Sequence, residues 1–543
     1  MDKNREKTDS KDDGTPSQNM TSTPVEQGVQ FQLNAAYDSS GRKLFPPPTS
    51  DPLDPLNWSS IRKHVILGIV MLKYFLFTYI TTTTVPSFAE IQSQYRINYS
   101  QVNWTVAIPA LGLAVGPLIW SSLGDIYGRR QVFLVGTLIA LISTIGAAVA
   151  GSYGGYMAAR FFQGFGVSPA STVGMAIVND LFFEYERGQK LGLWVLAVDL
   201  GLLLGPTFGG FLNIVSADWV LWFNAILFAV LLILEVFFLP ETLYPRQRML
   251  LSIGNMPAIS PLRDETDKTA TESSPSCLLK MPAGGIVCPD IPRTTSLPFL
   301  TFRPIPGMRH PRPWDSLTRF CLTFQFPVVV IAVIGFSFTW YWWILSIITM
   351  EPEAYSQYTP LIQGLLFLGL SLGTIVSEIC FSGRLSDNLV TWLTKRNGNI
   401  RAPEMRLWLS YPAIAITACG SVVWGISVDK HYHWMVGQVA FFLFAAGIQM
   451  GNTAISSYII DAYPLQSTSI VTFYAVFFNM SAFINPFFIA AWEAAVGWTW
   501  TFTTQALIMV SLSTLLMIIL HKYGAWIREH SPEPSWVNPE YDL

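Results

Sequence analysis

The sequence predicts an all-α membrane protein: twelve transmembrane helices in two pseudo-symmetric six-helix halves. Three observations carry this reading. Of 543 residues, 51% are hydrophobic and only 13% charged, more apolar than one soluble core can use. Twelve apolar segments, near 62–84, 102–123, 132–150, 154–181, 191–214, 217–239, 321–349, 358–382, 407–427, 433–460, 467–491 and 498–520, approach or exceed the roughly 20 residues that a hydrocarbon core about 30 Å thick requires. Paired features then recur along the chain. Asp180 and Asp461, Gly205-Pro206 and Asn485-Pro486, and Trp219 with Phe223 and Trp498 with Phe502 repeat at offsets of 279 to 281 residues. A duplicated six-span half is a transporter pattern, with the substrate site expected at the midplane between the halves.

Charge placement sets the topology. Of the 33 Lys and Arg residues, only Arg96 and Lys430 fall in expected outer loops, and only Lys73 and Arg160 lie within spans away from their ends. That bias puts both termini in the cytosol. The expected organisation is a disordered cytosolic tail (1–61), a first half (62–239), a cytosolic linker (240–320), a second half (321–520) and a cytosolic tail (521–543). The first tail is polar and Pro-rich, without the apolar stretch of a signal peptide. The linker is rich in Pro, Ser, Thr and charge, and its Arg293-Thr-Thr-Ser296 is a phosphorylation candidate. Five cysteines show no metal-ligand spacing and none lies in an outer loop, so neither a structural disulfide nor a bound metal or cofactor is expected. The chain contains no Gly-Lys pair, no His-Glu-x-x-His and no Cys-x-x-Cys. These absences speak against an ATP-driven pump or an enzyme and for an ion gradient as the energy source.

In chain order, Asp51 to Trp58 leads into the first span, with Trp58 at headgroup level. Lys73 inside that span reads as a snorkelling side chain, with a substrate role as the alternative. Asn98-Tyr-Ser100, in an outer loop, is a glycosylation acceptor. The second and third spans meet at Ser121-Ser-Leu-Gly-Asp-Ile-Tyr-Gly-Arg-Arg130, a charged turn echoed by Gly383-Arg-Leu-Ser-Asp387 after the eighth. The turn resembles the Gly-x-Leu-x-Asp-x-x-Gly-Arg-Arg loop of the major facilitator superfamily. Leu123, Asp125, Gly128, Arg129 and Arg130 match, and Ser121 stands for the first glycine. The resemblance implies the major facilitator fold. It also implies an inner-gate network of Asp125, Gly128, Arg129, Arg130, Asp180 and Asp387, in which Asp125 and Arg130 act with Asp180 to stabilise the outward-facing state.

Arg160 in the fourth span, followed by Gln163 and Gly164, resembles that family's Arg-x-x-x-Gly signature. Insertion of an arginine there costs about 2.5 kcal/mol or more, so it faces protein or an aqueous cavity, unless it snorkels outward. In the fifth span Gly201, Gly205, Pro206, Gly209 and Gly210 form a small-residue stripe for close helix packing. On that basis Gly205→Ala should be milder than Gly205→Leu. The stripe resembles the signature of proton-coupled antiporters of the superfamily. Asp199 falls on another face of the same helix. In the second half, Trp340 to Trp343 read as an interfacial belt, Glu378 as an inner-gate contact, and Lys395 to Arg406 as a topology-setting loop touching anionic lipid. Gln163, Gln449, Asn452 and Asn479 are candidate cavity-lining groups, and Asn485 is a further buried polar residue.

The functional expectation is proton-coupled efflux of drugs or secondary metabolites by alternating access. A proton-coupled importer of a small, cationic nutrient is the alternative, and a transporter-like receptor is disfavoured by short tails. Proton coupling is assigned to Asp199, with Arg160 as its electrostatic modulator and Glu378 as the next candidate. A low dielectric favours the neutral acid and an approaching guanidinium the carboxylate. The expected partners are a small-molecule substrate, protons and the lipid bilayer, with no nucleic acid. The expected state is a monomer, in the plasma membrane rather than the vacuolar one.

Overall fold

The structure is a computed structural model that describes residues 46, 48–49, 51–244, 312–398, 401–463 and 466–531. The remainder of the N-terminal tail, most of the linker with Arg293-Thr-Thr-Ser296, and residues 532–543 lie outside the described residues. Every element described is helical, and twelve helices are long and apolar enough to span a membrane. They are α1 Ser60–Thr82, α2 Tyr99–Tyr127, α3 Arg129–Ala148, α4 Tyr153–Leu181, α5 Glu184–Asn213, α6 Ala217–Phe238, α7 Pro327–Ala354, α8 Pro360–Phe381, α9 Pro403–Asp429, α10 Trp434–Ala462, α11 Ser467–Val496 and α12 Trp498–His530.

Side-chain exposure separates a lipid-facing rim from a packed centre. On α3, Val135, Leu138, Ile142, Ile145 and Val149 are exposed at alternating steps of three and four, as are Ile226, Val230, Ile233 and Phe237 on α6. Such an apolar stripe on one helix face has no use in water and suits hydrocarbon. α1 and α4 are the most enclosed spans of the first half. The halves meet through α2 against α11, where the rings of Trp104 and Phe487 lie 5.3 Å apart, and through α5 against α8.

The glycines of α5 explain that second seam. A methyl at Gly201, Gly205 or Gly209 would collide with the Phe75 carbonyl, the Thr82 hydroxyl and the Thr83 carbonyl of the α1 segment. Gly210 turns to the other side, where a methyl would stand 2.7 Å from the Pro360 carbonyl and 3.1 Å from the Gly364 Cα. One helix is thereby wedged between α1 of its own half and α8 of the other. Thr207 Oγ1 ties the contact by donating to the Gly364 carbonyl at 2.9 Å.

Several expected boundaries move. The N-terminal tail folds well before residue 61: Asp54 is fully buried, accepts from the Thr49 N–H and hydroxyl at 3.0 Å, and caps Leu56. Tyr244 closes this hook through Thr49 and Asp51. Trp58 is covered by the Arg62 guanidinium, 3.9 Å from the ring centre. Part of the linker forms a helix, Asp315–Thr323, seated against α2 and α11. α12 continues ten residues past 520, because Arg528 and His530 suit the negative end of a helix and Arg528 pairs with Glu404 at 2.6 Å.

Two further expectations are corrected by burial. Lys73 does not snorkel. It is fully enclosed between α1, α3 and α6, 3.2 Å from Glu235 of α6, and donates to the Phe133 carbonyl at 2.7 Å and the Thr137 hydroxyl at 2.8 Å. The aromatic run on α7 is no belt either, since Trp340, Tyr341 and Trp343 are at most 1% exposed. A π-helical turn at Ser337–Tyr341 shifts the helix phase there. Trp340 donates to Thr417 at 3.2 Å and lies so close to Gly451 that any side chain at 451 would strike its ring.

Two predictions follow from this packing. Because the obstructing atoms at Gly201 are backbone, Gly201→Ala and Gly205→Ala should each lower stability by about 1–3 kcal/mol, Gly205→Ala included despite its small size; thermal unfolding of the detergent-purified variants checks this, and wild-type midpoints would refute the tight seam. Lys73→Ala should cost about 3–5 kcal/mol by stranding Glu235, whereas the double replacement Lys73→Met with Glu235→Leu should recover most of that loss in the same assay.

Candidate functional site

At the α2–α3 turn, Gly128 adopts φ 104° and ψ 154°, a left-handed conformation that favours glycine. The reversal places Arg129 beneath the end of α2, where its guanidinium pairs with Asp125 and approaches Asp180 of α4 at 3.7 Å. The arginine at the centre is therefore Arg129, not Arg130 as the sequence suggested. Arg130 points to α6 and donates to the Val236 carbonyl at 2.8 Å. The turn at Gly128 decides this, because it brings the first residue of α3 back under the last turn of α2.

Glu241, just past α6, completes the cluster. Its carboxylate accepts the first two N–H groups of α3, Arg129 at 2.9 Å and Arg130 at 3.2 Å, together with those of Thr242 and Leu243. This satisfies donors that a helix N-terminus leaves open and sets an anion at the positive end of the dipole. Burial pushes the Glu241 carboxyl up from its ordinary range, opposed by those N–H donors and by the Arg129 charge. Glu241 was not legible as a member of this cluster, since its partners Arg129 and Arg130 lie more than 100 residues away in sequence.

In the second half, Asp461, the repeat mate of Asp180, accepts from Arg406 at 2.6 Å and Arg401 at 2.9 Å. The 395–406 loop thus supplies charge partners to its half. Asp387 lies on the helix Arg384–Arg396, and its side chain is outside the described residues.

Midway along α5, Asp199 is 5% exposed and accepts from Asn452 Nδ2 of α10 at 3.0 Å. Asn452 in turn accepts from the hydroxyl of Tyr474 on α11. Tyr74, stacked on Trp194 at 4.0 Å, and Tyr341, packed on Phe478 at 3.8 Å, bring two more phenols within electrostatic reach of the carboxyl. One helix turn along α10, Gln449 at 2.9 Å and Thr453 at 3.1 Å donate to Glu378 of α8. Two acids, one from each half, thus converge on a single polar face of α10.

Arg160 is not part of that group. It is fully buried and holds the Ile80 carbonyl at 2.7 Å, the Thr81 carbonyl at 3.1 Å and Gln163 at 2.8 Å, with longer contacts to Thr105 and Thr84. Its guanidinium satisfies carbonyls where α1 ends in a run of threonines, so it does not modulate Asp199. Gln163 bridges on to Thr144 at 2.8 Å and is structural, not cavity lining. Asn479 donates to the Ala475 carbonyl of its own helix at 2.7 Å. Asn485 pairs with Ser346 of α7 at 2.9 Å. Asn98 caps α2 through a reciprocal pair with Gln101.

Hydrogen bonds join distant elements at both faces. On the arginine face, Ser122 of α2 meets Ser316 of the linker helix at 2.6 Å. On the opposite face, Tyr99 of α2 donates to the Thr349 carbonyl of α7 at 2.7 Å. Asp199 and Asn452 cross at the middle. Polar contacts thus lie at each face and at the middle, where the acid is buried.

Comparison with known proteins agrees with this architecture. The chain is 27% identical to the MFS transporter cpaT of Aspergillus oryzae over 89% of its length and 91% of the relative's. It is 25% identical to the probable efflux pump mfs2 of Aspergillus flavus, covering 82% of this chain and 98% of that one. Protein HOL1 of Saccharomyces cerevisiae is 25% identical, with 94% of each chain covered. Among solved structures, the xylose transporter XylE from E. coli superposes with a TM-score of 0.59 at 13% identity, over 86% of this chain and 98% of that one. The family model described as Major Facilitator Superfamily matches residues 70–472, from within α1 to within α11. With twelve spans, two halves and a family match across both, the chain is a transporter-fold protein, not an enzyme, and belongs to the Major Facilitator Superfamily.

Proposed function

We propose that this protein is a proton-coupled exporter of small organic molecules that works by alternating access, with the Arg129 face in the cytosol of a fungal-type plasma membrane. The observation that carries the reading is the 3.0 Å contact between Asp199 and Asn452, which joins the halves at mid-membrane through a group able to gain and lose a proton. A neutral carboxyl tolerates its apolar, aromatic setting, whereas a carboxylate there draws its donors tighter or calls for water. Charging therefore changes the balance between closed and open arrangements, which is the link a gradient-driven transporter needs. Glu378, held by the same helix, is the second acid of the pathway. Relatives that carry the name efflux pump support export, and the α5 glycine seam supplies the sliding contact between α1 and α8.

The inner gate acts through Arg129, with Asp125, Asp180 and Glu241 as its anions and Arg130 as an anchor to α6. Asp461 with Arg401 and Arg406 is the counterpart in the second half, joined in this role by Asp387. Interactions of this type supply about 1–3 kcal/mol of bias between states. Asn98, exposed on the opposite face, is the glycan acceptor.

Three outcomes test the proposal in cells and in reconstituted vesicles. Asp125→Asn and Arg129→Gln should reach the surface at normal abundance yet lose most transport; normal transport would remove the gate role. Asp199→Asn should keep downhill exchange of a labelled compound but lose its pH-driven accumulation, and retained uphill transport would exclude Asp199 as the proton carrier. Direction is read separately: cells lacking the protein should retain more of an exported compound, and reduced uptake in those cells would indicate import.

A further inference from the structure

The geometry points to Glu351 as a further proton-binding group, which links protonation to closure of the face opposite the arginines. Glu351 lies one turn before the end of α7, fully buried, and among the described residues neither of its carboxyl oxygens has a hydrogen-bond partner. Two potential donors on the packed elements are committed elsewhere, and the Ser87 hydroxyl of the Val85–Ser87 turn bonds to no group among the described residues. Gln363 Nε2 spends its hydrogens on the Tyr355 and Tyr358 carbonyls at 3.1 and 3.3 Å. Tyr99 gives its hydroxyl to the Thr349 carbonyl. The ionisable groups facing this end of α7 are Tyr99 from α2, Glu493 from α11, and Glu353 and Tyr355 from the same segment. The Val85–Ser87 turn and the first turns of α8, also packed here, bring no titratable group. Among these described groups none is cationic.

Asp199 has a donor in Asn452, but Glu351 has none, so a charge on it is incompatible with the closed face. The acid is neutral while α2 and α7 are latched. When that face opens, as alternating access requires, water reaches the carboxyl, the O–H bond breaks heterolytically, and the proton passes to bulk solvent and leaves a hydrated carboxylate. Reclosure takes the proton back. High pH therefore favours the open face and low pH the closed one. The inference rests on alternating access as proposed above, but not on Asp199 as the carrier.

The experiment uses the full chain in lipid nanodiscs, with native cysteines replaced by serine and spin labels at Val215 and Tyr432, which are exposed on that face. The distance between labels reports the ratio of open to closed molecules across a pH titration. In the otherwise native protein that ratio should rise with pH, by up to about tenfold per pH unit for each linked proton. Glu351→Gln and Glu351→Met should both hold the face closed and reduce the slope by up to one proton, and Glu351→Asp should keep a pH response. Asp199→Asn, measured in parallel, should retain the share due to Glu351, so failure of the Asp199 assignment is read apart from failure of this one. An unchanged slope in Glu351→Gln or Glu351→Met, or no pH dependence in the native chain, would overturn the assignment.

Discussion

Asp199 and Asn452 meet at 3.0 Å in the middle of the membrane, one from each half. The carboxyl is buried there, with the Asn452 amide and the Tyr74, Tyr341 and Tyr474 phenols around it and Glu378 within electrostatic reach. In the proposed function, a change in its state of charge alters the relation between α5 and α10. The rest of the molecule is arranged around that dependence. The glycine seam lets α5 lie directly on α1 and α8, so a shift at Asp199 is carried along a rigid, close-packed helix.

Other buried charges are kept out of the moving parts. Lys73 with Glu235, and Arg160 with the carbonyls ending α1, lie wholly within the first half. Each charge is surrounded by fixed partners of its own half, so relative motion of the halves leaves it satisfied. This division separates polar groups that hold a half together from polar groups that report on the distance between halves. Asp199, whose donor Asn452 stands in the other half, belongs to the second kind; the printed partners of the Arg129 cluster and of Glu378 lie within their own halves.

Much of the fold was legible in the sequence, because hydrophobic length, arginine placement and a repeat are properties of the chain alone. The twelve spans and their division into halves follow from them. Side-chain pairing was less legible. Asp125, Asp180 and Gly128 were found from a local motif, but the choice of Arg129 over Arg130 depends on the turn that Gly128 makes. Glu241 as a cap on α3 and Glu235 as the partner of Lys73 join residues distant in sequence, and no periodicity encodes such pairs. The aromatic run at Trp340 was misjudged because a π turn shifts helix phase without leaving a composition signal. Likewise, Asp199 was recognised as polar on an apolar helix, whereas its true partner, Asn452, was visible only as a candidate lining residue.

The central claim is that the Asp199 carboxyl exchanges its proton in the folded protein. Infrared difference spectroscopy between acidic and alkaline buffer on the lipid-reconstituted protein reads it directly. The account predicts a protonated-carboxyl band that is lost on going to alkaline buffer in the native chain and is diminished by one group in Asp199→Asn. Identical difference spectra for the two proteins would contradict it.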